Sequence, residues 1–265
     1  MAKEHPFAGG NVRAAVASKV PQVVFMFWVV KVLATTVGET GGDAVSMTLG
    51  LGYAVATLIF LAFFAVTLAL QVSSRRYHPF SYWAVVVATT TVGTTTSDFL
   101  DRTAGLGYVR SSILLFCGVL LVLFAWHRAA GKVRFENITT KREEIFYWVT
   151  ILVSNTLGTA LGDFMATTAG LGFERGALVF SALIAIVAAL HFLAKRIPPA
   201  ALFWSAYVLT RPLGATLGDT LTKAHSQGGL ALGRIESSLV IVAAMVVAVF
   251  LMTRWESRRT GSSFA

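Results

Sequence analysis

Long apolar runs alternate with short polar connections along the chain, and every second run is interrupted by acids, threonines and glycines at a repeated register. The register is counted from four aromatic pairs, Phe27-Trp28, Tyr82-Trp83, Tyr147-Trp148 and Phe203-Trp204. Ten residues after each tryptophan stands a glycine (Gly38, Gly93, Gly158, Gly214), and fifteen after it an aspartate (Asp43, Asp98, Asp163, Asp219). The tryptophans are 55, 65 and 56 residues apart, a period that holds two spanning helices and their turns. The pattern predicts helices over about 21–49, 53–72, 81–104, 108–128, 145–169, 173–194, 200–225 and 231–253. Pro21 suits a first helical position, and Gly50-Leu51-Gly52, Gly105-Leu106-Gly107 and Gly170-Leu171-Gly172 suit tight reversals. Unit four has a longer turn around Ser226, Gly228 and Gly229. The expected fold class is an all-α integral membrane protein, with eight transmembrane helices forming four parallel-repeat helical hairpins around an axis along the membrane normal. A single membrane domain over 1–265 is expected, with units at about 21–76, 77–131, 142–197 and 198–256.

Composition places the chain outside the soluble class, with 55% hydrophobic residues, 13% charged and a mean hydropathy of +0.70. The net charge of +9 does not point to nucleic acid, because the basic residues cluster between apolar runs, where they meet anionic headgroups of the lipid bilayer. Of 22 lysines and arginines, fifteen lie in the termini and inter-hairpin loops, among them Arg75, Arg76, Arg128, Lys132, Arg134, Lys195 and Arg196. Those segments are therefore expected to be cytoplasmic, both termini included. The stretch Met1 to Val20, with Lys3, Glu4, His5 and Arg13, has no apolar core followed by a small-residue cleavage site, so no removable signal peptide is expected. The aromatic pairs read as interfacial anchors, Lys31 as a side chain snorkelling to the same interface, and Cys117 as a small buried hydrophobe. One cysteine allows no internal disulfide.

An acidic side chain near the bilayer centre costs roughly 3 kcal/mol on insertion scales, so four at equivalent places imply a role. At helical spacing the aspartates share a polar stripe with Glu39, Asp101, Thr36, Thr40, Thr91, Thr94, Thr95, Thr156, Thr159 and Thr216. Such a stripe suits the bundle interior or a water-filled path. The pairs Gly38 and Gly42, Gly158 and Gly162, and Gly214 and Gly218, with Gly93 and Ser97 as the variant, are GxxxG spacings that suit close helix packing. Carboxylates and hydroxyls without thiolates form a hard-oxygen environment, which fits Mg²⁺, Mn²⁺, Ca²⁺, Na⁺ or protons. Asp43, Asp98, Asp163, Asp219, Glu39 and Asp101 are thus the candidate ligands of a bound hard cation. The charge of the four repeat aspartates with Glu39 is only partly offset by Lys31 and Arg211, and proton-coupled exchange is available to clustered acids. No cofactor is required. The leading expectation is a cation transporter, and its nearest alternative is a cation channel with an acidic selectivity ring. A structural alternative pairs the aspartates with Arg110, Arg175, Arg211 or Arg234 in a non-transporting scaffold. An intramembrane enzyme is disfavoured, because the chain carries no HExxH, no GxSxG and no nucleophile with a placed base. Apolar outer faces can meet lipid or a second copy in a homo-oligomer.

The segments Thr36 to Asp43, Thr91 to Asp98, Thr156 to Asp163 and Leu213 to Asp219, with the Gly-Leu-Gly turns, make four GxxxGD-type hairpin repeats. They resemble a poorly characterised family of bacterial multi-pass proteins often labelled membrane-anchored proteins. The resemblance covers nearly the whole chain and implies a bacterial inner-membrane location. It assigns no catalytic or binding residue. Unit four departs most, with Arg211-Pro212 in place of the polar pair of the other units.

Overall fold

Local signals set where the helices begin and end in the computed structural model, which describes residues 19–74, 77–133, 138, 140–194 and 196–260. The basic residues Lys3, Arg13, Arg75, Arg76, Arg134 and Lys195, with Glu4 and His5, lie outside the described residues. Eight α-helices and no strand form among the described residues: α1 (Phe25–Asp43), α2 (Gly52–Ser73), α3 (Pro79–Asp98), α4 (Gly107–Ala130), α5 (Lys141–Asp163), α6 (Gly172–Leu193), α7 (Pro199–Thr222) and α8 (Arg234–Thr260). Proline opens α3 and α7, where its missing N–H leaves no bond unmade. Thr140 caps α5 by accepting from the Glu143 N–H, and its hydroxyl donates to the Glu143 carboxylate at 2.9 Å. Pro21 does not open a helix. Val24 is extended (φ −118°, ψ 171°), and α1 starts only at Phe25.

After the aspartate of each of the first three units the helix widens into a five-residue π turn, at Ala44–Thr48, Phe99–Thr103 and Phe164–Thr168. Both glycines of each Gly-Leu-Gly then take a left-handed backbone with φ between 68° and 73°, and the chain reverses. Unit four has no π turn among its described residues. It leaves α7 at Lys223 and returns through a short 3₁₀ turn, His225–Gln227, and Gly228 at φ 82°.

The four first helices close into a ring, α1 against α3, α3 against α5, α5 against α7 and α7 back against α1. Each second helix covers the first helix of the following unit, α2 on α3, α4 on α5, α6 on α7 and α8 on α1. The hairpins are therefore splayed, and cohesion comes from neighbours around the ring. Among the described residues five segments are long and apolar enough to cross a membrane: Gly52–Ser73, Gly107–Ala130, Lys141–Thr168, Gly172–Leu193 and Arg234–Trp255. Helices α1, α3 and α7 carry more polar residues, which are buried in the ring or under the covering helices.

The outer helices present Leu58, Val66, Leu121, Leu178 and Val240 to the surroundings. Cys117 is exposed on this outer surface, contrary to the expectation of a buried thiol, because α4 covers α5 with its opposite face. The aromatic pairs also differ from their expected place. Phe27, Tyr82, Trp83, Tyr147, Trp148, Phe203 and Trp204 are buried and form one cyclic layer inside the ring. Phe27 meets Trp83, Tyr82 meets Trp148, Tyr147 meets Trp204 and Phe203 meets Trp28, at centroid distances of 5.4, 5.4, 5.8 and 5.7 Å. Burying rings of this size between four helices outweighs placing them at an interface.

Candidate functional site

Above the aromatic layer the inner helices contribute one side chain each to successive levels of the ring, every four residues along the helix. The first level holds Lys31, Val86, Ile151 and Tyr207, all fully buried. Lys31 does not snorkel. Its Nζ lies 4.3 Å from the centre of the Tyr207 ring and 3.5 Å from Asn155 Oδ1.

The next level, Thr35, Thr90, Asn155 and Arg211, forms the contacts that close the ring. A Cβ built on Gly38 would collide with Thr90, on Gly93 with Asn155, on Gly158 with Arg211 and on Gly214 with Thr35. One level on, Gly42 lies against Thr94, Gly162 against Ala215 and Gly218 against Glu39. Each glycine admits the larger residue of the following unit, and hydroxyls bond across the gap. Thr90 donates to the Ala34 carbonyl at 3.1 Å, Thr94 to that of Gly38 at 3.0 Å and Thr35 to that of Thr210 at 3.1 Å.

The level that follows contains Glu39, Thr94, Thr159 and Ala215. Arg211, fully buried, donates from Nη2 to Glu39 Oε2 at 3.0 Å and also reaches the Thr94 hydroxyl. Thr94 donates to the same Glu39 oxygen at 3.3 Å. Of the predicted hydroxyl path, Thr94 and Thr159 stand at this level. The other hydroxyls turn elsewhere. Those of Thr36, Thr91, Thr95 and Thr156 bond back to carbonyls of their own helix. Thr40 accepts from Ser238 of α8 at 2.8 Å, and Thr216 lies against Gly176 of α6. These positions fall one residue off the inward spacing and so face the outer helices.

The four aspartates form the last level and are 1–2% exposed. Two cations bridge them in pairs. Arg102 places Nε 3.1 Å from Asp98 and Nη2 3.3 Å from Asp163, and its Nη1 donates to the Tyr53 hydroxyl at 2.9 Å. Lys223 places Nζ 2.9 Å from Asp43 Oδ2 and 3.0 Å from Asp219 Oδ1, and Arg234 Nε lies 3.5 Å from the same Asp43 oxygen. Oxygens of Glu39, Asp43 and Asp219 come within 4.8 Å of one another, a spacing that fits a hard cation. Asp43 Oδ1 is buried with no hydrogen-bond partner among the described residues.

The six candidate ligands therefore divide. Glu39, Asp43 and Asp219 form one cluster, while Asp98 and Asp163 are joined through Arg102. Asp101 stands apart, its two oxygens held by the hydroxyls of Ser97, at 3.1 Å, and Ser111 of α4. The expected charge balance is also corrected. Arg211 offsets Glu39 as anticipated and Arg234 joins Asp43, but Lys31 reaches none of the carboxylates in this cluster. Arg102 and Lys223 were missed. Their signal was available, since each lies four residues after an aspartate, the spacing at which opposite charges meet on a helix.

A family model described as "Repeat of Unknown Function (DUF347)" matches the chain four times, over residues 26–77, 81–132, 146–196 and 202–258. No curated protein and no solved structure matches. The matched segments span most of the sequence, and the chain belongs to this repeat family.

Proposed function

We propose that this repeat protein is an eight-span carrier of a hard cation, with Glu39, Asp43 and Asp219 as the ion site. All four units enter the bilayer in the same direction, and the ring axis runs along the membrane normal. Both termini are cytoplasmic in a bacterial inner membrane, as the distribution of lysine and arginine supports. The chain does no covalent chemistry in this reading.

The observation that carries the proposal is the second oxygen of Asp43. A buried carboxylate oxygen without a donor is destabilising, and here it belongs to a cluster of three acids at ligand spacing. Within the site the three acids are matched by Arg211, Lys223 and Arg234, so an incoming cation has to displace one of these charges. The axis is filled by rings at one end and by ion pairs at the other, which favours a carrier over an open channel. Manganese or magnesium, with proton coupling, fits the oxygen-only donor set.

Reconstitution in liposomes tests this. Asp43→Asn and Asp219→Asn are expected to abolish Mn²⁺ flux while the purified protein keeps its gel-filtration profile, and flux equal to that of the unmodified chain in both variants rejects the ion site. The ion pairs themselves favour a second reading, a scaffold in which the acids only join units. In that case the same variants lose thermal stability and no Mn²⁺ flux is measured for the unmodified protein.

A further inference from the structure

Arg102 and Lys223 occupy equivalent places in units two and four, and each reaches from its own aspartate to the aspartate of the following unit. The two halves of the acid layer thus share a geometry and differ in the chemistry of the cation. Arg102 is a planar fork with every arm engaged, on Asp98, on Asp163 and on the Tyr53 hydroxyl. A guanidinium held in this way is a fixed strut.

Lys223 is a point charge on a flexible four-carbon stem. Its ammonium bridges Asp43 and Asp219, two of the three acids whose oxygens come within 4.8 Å of one another, so it shares the ligands that a bound cation would need. It also stands at a break in the backbone. Lys223 ends α7 in an extended conformation (φ −72°, ψ 155°), and the chain beyond it turns through Gly228. The side chain can therefore withdraw toward the turn without unwinding a helix.

We infer that Lys223 is a tethered counter-cation, which occupies the carboxylates of the ion site when no substrate is bound and is displaced by the incoming cation. The inference rests on the carrier reading above. It implies that the site never presents bare carboxylates to the low-dielectric interior, so the carrier can reorient without substrate. Without the lysine, only the loaded form reorients readily, and net transport gives way to exchange. Arg102, with all three nitrogens engaged, has no such part.

Mn²⁺ titration of the detergent-purified full chain, followed by calorimetry, separates the possibilities. Lys223→Gln is expected to bind Mn²⁺ about tenfold more tightly or better, because a competitor tied to the site is gone. In liposomes the same variant is expected to lose net Mn²⁺ uptake and to keep isotope exchange at equal Mn²⁺ on both sides. Lys223→Arg, which installs the fixed fork, is expected to weaken binding by about tenfold or more. If Lys223→Gln does not fold, Lys223→Arg decides alone. Affinities equal to the unmodified chain overturn the role of Lys223 and leave the ion site standing. Failure of the unmodified chain and of Lys223→Gln alike to bind Mn²⁺ overturns both.

Discussion

Glu39 is a carboxylate sealed among four helices, and its charge is tolerated because Arg211 lies 3.0 Å away. Removing one member of a buried pair leaves the other uncompensated, at about 3–5 kcal/mol. Arg211→Met is therefore expected to lower the thermal unfolding midpoint in detergent sharply, and Arg211→Met combined with Glu39→Gln to recover much of the loss. Equal midpoints for the single variant and the unmodified chain would show that the pair contributes nothing. Asp101 makes the opposite case. Its oxygens are taken by Ser97 and Ser111, so Asp101→Asn is expected to cost about 1–2 kcal/mol of stability and to leave Mn²⁺ flux unchanged. A loss of flux with an intact unfolding midpoint would return Asp101 to the ion site.

Between helices, the deciding feature is a glycine facing a larger residue of the next unit. A Cβ on Gly38 meets the Thr90 side chain and comes within 3.0 Å of its backbone carbon, so rotation of the threonine cannot relieve the clash. Gly41, three residues away, meets only Ser238 Oγ, at 4.0 Å, among the described residues. Gly38→Ala is expected to destabilise by about 1–3 kcal/mol through forced separation of α1 and α3. Gly41→Ala is expected to be neutral or to gain up to about 1 kcal/mol from helix propensity. Paired unfolding curves check this, and equal losses in the two variants would refute the packing argument. The π turns after Asp43, Asp98 and Asp163 belong to the same scale. They are absent from the hydrophobic pattern, which shows where apolar residues fall and carries no trace of how widely a helix is wound.

At the scale of the whole molecule the ring is closed by α7 against α1, and α8 covers α1 from outside, so the last hairpin meets the first helix of the sequence. Ser238 and Thr40 mark that seam, with their hydroxyl oxygens 2.8 Å apart. Replacing both with cysteine, in a Cys117→Ser background, is expected to give an oxidant-dependent disulfide that shifts migration on denaturing gels and raises the unfolding midpoint. Failure to cross-link in the purified protein would argue against α8 covering α1. The fourfold repeat, the helices and the glycine turns were legible in the sequence because each leaves a local mark. The inward register was legible in part. It was anchored correctly on Asp43, but Thr36 and Thr91 lie one position off the levels occupied by Thr35 and Thr90, an offset that decides whether a hydroxyl meets the axis or an outer helix. Long-range partners such as Lys223 with Asp43, separated by 180 positions, leave no local mark. The α8 seam also bears on how the chain is made. During synthesis, α1 leaves the ribosome well ahead of the helix that will cover it, so its acidic face must wait for the final hairpin. A product truncated before α7 is left with a gap in its wall and with Glu39 and Asp43 without Arg211, Lys223 and Arg234.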